Sequence, residues 1–141
     1  LSPAATDAFL PAVVSALRVI LPRGAIVHHS ANEVAPAGPR GAKRQAILVG
    51  MGVHPGFADL MVLCGRRVLF LELKSRKGQL SPAQVAFRDT VTAQGHGWAL
   101  VRSLDDALGA LADHGITTRV VSTPTSPASE GDVVNQGRVA P

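Results

Sequence analysis

Asp59, Glu72 and Lys74 are the residues of this chain whose types and spacing could do chemistry together. Asp59 opens the run Leu60-Met61-Val62-Leu63-Cys64. A Gly65-Arg66 pair follows, and Arg67-Val68-Leu69-Phe70-Leu71 then leads into Glu72-Leu73-Lys74. Two runs rich in Val, Leu and Phe around a Gly-X pair predict a β-hairpin with a type II′ turn. With Gly65 and Arg66 as the loop, Cys64 faces Arg67, Leu63 faces Val68, and outward counting sets Asp59 opposite Glu72. A longer loop from Cys64 to Arg67 keeps that pairing; an odd-length loop shifts it by one residue. Opposed residues on antiparallel strands hold their Cβ atoms about 4.5–5.5 Å apart, so like charges there repel. Strand alternation puts Lys74 on the face of Glu72 and turns Leu71 and Leu73 to the other face.

Two neighbouring carboxylates in an apolar hairpin need either a retained proton or a cation between them. Carboxylate and carbonyl oxygens suit a hard cation, Mg²⁺ or Mn²⁺. Lys74 would stand beside it as a point charge or proton donor. That is the layout of a metal-dependent phosphodiesterase site. Spacing alone also permits a plainer reading, a solvated strand face with a cross-strand ion pair.

The flanking residues bear on that choice. Ser75-Arg76-Lys77-Gly78-Gln79 is a basic loop directly after the acids. It reads either as an ordinary polar turn or as a phosphate contact, Arg76 and Lys77 gripping a nucleic-acid backbone without reading its sequence. Leu80-Ser81-Pro82-Ala83-Gln84 is the clearest helix start in the chain. Ser81 is the N-cap, Pro82 the first helical residue and Gln84 the third, which makes a capping box. Gln84 therefore has a structural role before any catalytic one is considered.

The elements that must position these groups follow from periodicity. Thr6 or Asp7 caps a first helix running to residue 21, with Pro11 in its first turn and Leu10, Val13, Val14 and Leu17 on one face. Residues 25–29 form a short strand, residues 32–41 a loop, and residues 42–49 a short basic helix. After the hairpin and the helix capped by Ser81, which stops at Gly95, come a strand over 97–102 and a helix from Ser103 to about residue 111. Residues 117–121 add a last edge strand. The expected organisation is one domain over residues 1–121 and a disordered, Ser/Thr/Pro/Gly-rich tail over 122–141.

Bulk properties narrow the class. The chain has 141 residues, 46% of them hydrophobic, with a formal net charge of +4. That describes a folded domain whose charge fits a polyanion partner. One cysteine, Cys64, excludes an intrachain disulfide framework and suits a reducing interior. The apolar stretch over 8–27 is broken by Pro11, Arg18, Pro22 and Arg23, so no membrane span is expected. The expected location is the cytoplasm of a microbe or of a cell carrying a phage. The five histidines lack zinc-ligand spacing, His54 reads as loop polarity, and Trp98 as core or interface. Gly50, Gly52 and Gly56 make no nucleotide fingerprint, and no glycine-framed serine elbow is present.

Taken in order, Gly52-Val53-His54-Pro55-Gly56-Phe57-Ala58-Asp59-Leu60, Leu71-Glu72-Leu73-Lys74, Gly78-Gln79-Leu80-Ser81-Pro82-Ala83-Gln84 and the late run Ala99-Leu100-Val101-Arg102-Ser103 resemble the virus-type replication-repair nuclease (VRR-NUC) domain. That domain is a branch of the PD-(D/E)XK nuclease superfamily. The resemblance covers residues 28–111. It implies an α/β, restriction-endonuclease-like fold, a mixed central sheet flanked by helices. It also implies that Asp59, Glu72 and the Leu73 carbonyl hold Mg²⁺ or Mn²⁺, that Lys74 is the catalytic lysine, and that Gln84 is the family's helix-borne glutamine. A further acid from the first helix has Asp7 or Glu33 as its candidates. Ala58 stands where the family usually has Pro. The implied activity is DNA endonuclease, selective for branched substrates such as four-way junctions, by a homodimer with no membrane attachment. The competing expectation is a non-catalytic DNA-binding module that retains the fold.

Overall fold

The Gly65-Arg66 turn organises the centre of the molecule. It joins β2 (Leu60–Cys64) to β3 (Arg67–Leu73) as an antiparallel pair in which Cys64 faces Arg67 and Leu60 faces Leu71. Gly65 has φ of 59° and no described non-glycine residue has a positive φ. Arg66 therefore cannot complete a type I′ turn, and the pair is the type II′ turn that glycine in first place favours. One step beyond the last paired position, the same register sets Asp59 against Glu72, as outward counting predicts.

The computed structural model describes residues 3–31 and 38–119, the side chains of residues 3–7 excepted. β1 (Ile26–His29) pairs antiparallel with β2, and β4 (Gly97–Val101) pairs parallel with β3, so the sheet runs β1-β2-β3-β4. Parallel neighbours need a crossover, and α3 (Pro82–Ala93) supplies it. The other helices are α1 (Pro3–Ile20), α2 (Pro39–Gly50) and α4 (Leu104–Asp113). This is the mixed-sheet α/β architecture expected.

Each face of the sheet has its own core. Leu69, Leu71 and Leu73 of β3, with Leu60, Val62 and Val101, bury against Leu10, Val13 and Leu17 of α1 and Ala107, Ala110 and Leu111 of α4. The opposite face packs Phe70 and Ala58 against Phe87 and Val91 of α3, with Phe57, Met61, Val68 and Trp98 at the margin. Trp98 is thus marginal core, half-buried beneath the Arg88 guanidinium.

Three local expectations are corrected. α1 begins at Pro3, so Pro11 lies inside the helix rather than in its first turn. An interior proline removes one backbone bond, but Pro11 is exposed while Leu10, Val13 and Leu17 are buried. The buried face sustains the helix across the lost bond. α2 starts at Pro39 rather than after Gly41. Proline suits the first helical position, where its missing N–H costs nothing. Residues 117–119 form no strand: the Arg119 amide bonds to Ile20 O and its guanidinium to Leu21 O and Arg18 O. The chain there satisfies the carbonyls at the end of α1 instead of extending the sheet. Residues 120–121 and the 122–141 tail lie outside the described residues.

Candidate active site

Asp59 ends the glycine-rich loop that leads into β2, and its two kinds of oxygen go to different strands. Its backbone oxygen accepts from Ser30 N at 2.9 Å, just past β1. Its side-chain Oδ2 accepts from Leu73 N at 2.8 Å. The Leu73 amide lies two residues beyond Leu71, the last residue of β3 paired with β2, so the carboxylate takes over as acceptor where that ladder stops. A short acid at this position is thereby fixed against the end of β3.

Glu72 projects on the α3 face and is only 2% exposed. Its Oε1 accepts from Gln84 Nε2 at 2.8 Å and lies 3.8 Å from Lys74 Nζ. Burial pushes the Glu72 carboxyl up from the ordinary 4.5 to about 8. The neighbouring Asp59 charge adds to the rise, and the Lys74 ammonium opposes it. When protonated, Glu72 is within hydrogen-bonding reach of Asp59. The two carboxyls therefore occupy one small volume, which favours a proton on Glu72 while no cation is bound. That is the arrangement in which a divalent cation can replace the proton.

Gln84 works at both ends of its amide. Its Oε1 accepts from Ser81 N at 2.9 Å while its own backbone N donates to Ser81 Oγ at 3.2 Å, completing the capping box. The oxygen is committed to the helix start, so the amide nitrogen is the end turned to Glu72. The loop and the helix are held together by a backbone approach at Gly56. Its φ is 73°, and a Cβ there would lie 2.3 Å from the carbonyl of Ala83 and 2.6 Å from Gln84 N. Only glycine permits that approach, which sets the start of α3, and hence Gln84, against the loop that carries Asp59.

Lys74 leaves β3 with its backbone N bonded to Val101 O of β4 at 3.0 Å, and its side chain is 12% exposed. Arg76 and Lys77 are both exposed in the turn that follows. The guanidinium of Arg102, a residue of the late run to which the sequence assigned no role, donates to the carbonyls of Ser75 and, at 3.2 Å, Arg76. No sequence signal marks that role, because its partners are backbone atoms of a distant segment.

The structure thus brings Asp59, Glu72, Lys74 and Gln84 together. The Asp7 side chain and Glu33 lie outside the described residues. Among the described residues, no three His, Cys, Asp or Glu side chains converge as a metal cluster. The acidic groups on hand are the two carboxyls of Asp59 and Glu72, and carboxylate oxygens suit a hard cation that completes its shell with water. His54 lies edge-on to Phe87 at 5.7 Å with Nδ1 2.8 Å from Pro55 O, an exposed loop residue. No described helix is long and apolar enough to cross a membrane.

No family model matches the chain, and no curated protein matches it. Among solved structures, a chain named VRR_NUC domain protein superposes with a TM-score of 0.59 at 20% identity, covering 81% of this chain and 90% of that one. Likeness at that identity is a likeness of fold. The chain has a VRR-NUC-like fold.

Proposed function

We propose that this protein is a divalent-metal-dependent DNA endonuclease. The observation that carries the reading is Glu72, a nearly inaccessible carboxyl beside Asp59, held by Gln84 at 2.8 Å with Lys74 at 3.8 Å. A protein that only needed to fold would gain stability from an apolar residue there. Asp59, Glu72 and the Leu73 carbonyl would hold Mg²⁺ or Mn²⁺, with Asp7 or Glu33 as a further ligand. Bound there, the ion supplies charge neutralisation and polarisation at the scissile phosphoryl group. Lys74 places an ammonium where negative charge develops and where an attacking water can be oriented. Gln84 keeps the Glu72 carboxylate turned to the site. Arg76 and Lys77 contact flanking phosphates without reading bases.

The same reading extends to the substrate and the assembly. A symmetric homodimer carries two such sites related by a two-fold axis, which matches two cuts in a four-way junction. The expected setting is the cytoplasm of a microbe or of a phage-infected cell. The deciding experiment incubates purified protein with supercoiled plasmid, linear duplex and four-way-junction DNA, with Mg²⁺, with Mn²⁺ and with EDTA. Cutting that needs metal and disappears in Lys74→Ala supports the nuclease. DNA binding without cutting under every metal, unchanged in Glu72→Ala, identifies a binding module instead.

A further inference from the structure

The β3–α3 turn, residues 75–78, carries the two cations assigned above to phosphate contact. Such a turn, if tethered only at its ends, would sample many shapes. It is instead closed by internal and external bonds. Gly78 N donates to Ser75 O at 3.2 Å. A Cβ on Gly78 would lie 3.4 Å from both Cβ and Cδ of Lys74, so the glycine backbone rests on the alkyl stem of the lysine. From outside, the Arg102 guanidinium grips the Ser75 and Arg76 carbonyls. Arg102 can reach them because Leu73 and Val101 are paired across β3 and β4, which places the residues following each strand side by side. Its own backbone is anchored in turn: Arg102 N donates to Asp106 Oδ2 at 2.9 Å, and Asp106 N donates to Ser103 Oγ at 3.1 Å at the start of α4.

We infer that Arg102 is a positioning residue of the nuclease site: by bridging two successive carbonyls it fixes the 75–78 turn against the Lys74 side chain and thereby sets where the ammonium stands relative to Glu72. The inference rests on the nuclease reading and deepens it. Arg102 is half-buried and directs its guanidinium at main-chain oxygens. Both bonds leave one terminal nitrogen, Nη1, whose two hydrogens are fixed in direction by the guanidinium plane, which a lysine ammonium on a flexible stem does not reproduce. Arg102 therefore acts through the turn, and its charge is not its contribution.

The test compares Arg102→Gln and Arg102→Lys with Arg76→Ala in three measurements. In single-turnover cleavage of a labelled four-way junction with Mn²⁺, both Arg102 variants are expected to lose about tenfold or more in rate, the scale of a small misplacement of a reacting group. In junction binding with Ca²⁺ across a salt series, both keep the wild-type slope of log K against log salt. Arg76→Ala flattens that slope by about one unit, as removal of one phosphate contact does. In amide exchange, Gly78 opens about tenfold faster in Arg102→Gln while Leu71 in the core is unchanged, which shows that the fold persists. A full wild-type rate in Arg102→Lys, or a flattened slope in Arg102→Gln, would make Arg102 a direct phosphate contact and overturn the inference. Unaltered Gly78 exchange would overturn it as well. The exchange arm needs no cleavage, so a wild-type protein that cuts nothing would refute the nuclease reading while the clamp is still decided.

Discussion

The two faces of strand β3 make different demands on the same seven residues. Toward α1 and α4 it presents Leu69, Leu71 and Leu73, all closed off from water. Toward α3 it presents Val68 and Phe70 in an aromatic cluster, and then Glu72. The first face is built only to fold. The second begins in the same way, with Phe57, Phe70 and Phe87 packed ring to ring, and then buries an acid. Stability and chemistry are separated by direction of projection along one strand, not by region of sequence.

Substitutions should divide along that line. Glu72→Ala and Lys74→Ala are expected to lower single-turnover cleavage by about 10²–10³-fold, the scale of lost electrostatic stabilisation at a developing charge. The urea midpoint of Glu72→Ala should stay level or rise, since a buried acid is removed. That of Lys74→Ala should stay level at neutral pH, where Glu72 keeps its proton and needs no counter-charge. On the opposite face, Leu71→Ala is expected to cost about 2–5 kcal/mol in urea unfolding with cavity formation, while the folded fraction still cuts. Equal stability losses on both faces would erase the distinction.

Gly56→Ala tests the junction between loop and helix. Its added methyl meets backbone of Ala83 and Gln84 that has no side-chain freedom to yield. A loss of about 1–3 kcal/mol is expected from the strained conformation, with a fall in cleavage as Gln84 moves off Glu72.

The pH dependence sharpens the comparison further. Glu72 titrates at about 8 in the folded protein against an ordinary 4.5. Between those values the native state holds more protons than the unfolded one, so metal-free stability falls as pH rises through that window. Metal binding needs the carboxylate, so Mn²⁺ affinity should climb over the same range with release of a proton. Urea melts and calorimetric Mn²⁺ titrations from pH 5 to about 9 check both trends, and Glu72→Gln should flatten the first. The smallest effect separates the two jobs of the capping box. Ser81→Ala should cost about 1 kcal/mol and leave cutting close to wild type, whereas Gln84→Ala should add a cleavage defect to a similar loss.

Whether a feature is legible in the sequence depends on how local its cause is. The hairpin register follows from one glycine and strict alternation, and the start of α3 from five residues whose side chains bond within a single turn. The meeting of Asp59 with Glu72 comes with the register. Less visible are the features fixed by distant partners. Pro11 argues for a late helix start, and only the buried face of α1, formed by Leu10, Val13 and Leu17, overrides it. The 117–121 segment has strand-like composition, yet Arg119 binds carbonyls at the end of α1. Arg102 and Gly56 carry no signal of their roles, because each acts on backbone atoms of a segment far away in the chain.

One amide group, that of Gln84, both begins a helix and restrains an acid. Fraying of the first turn of α3 therefore releases Glu72 in the same event, and reseating that turn restores it. Assembly of the site is in this sense all-or-none, and a partly melted α3 leaves no half-built version of it.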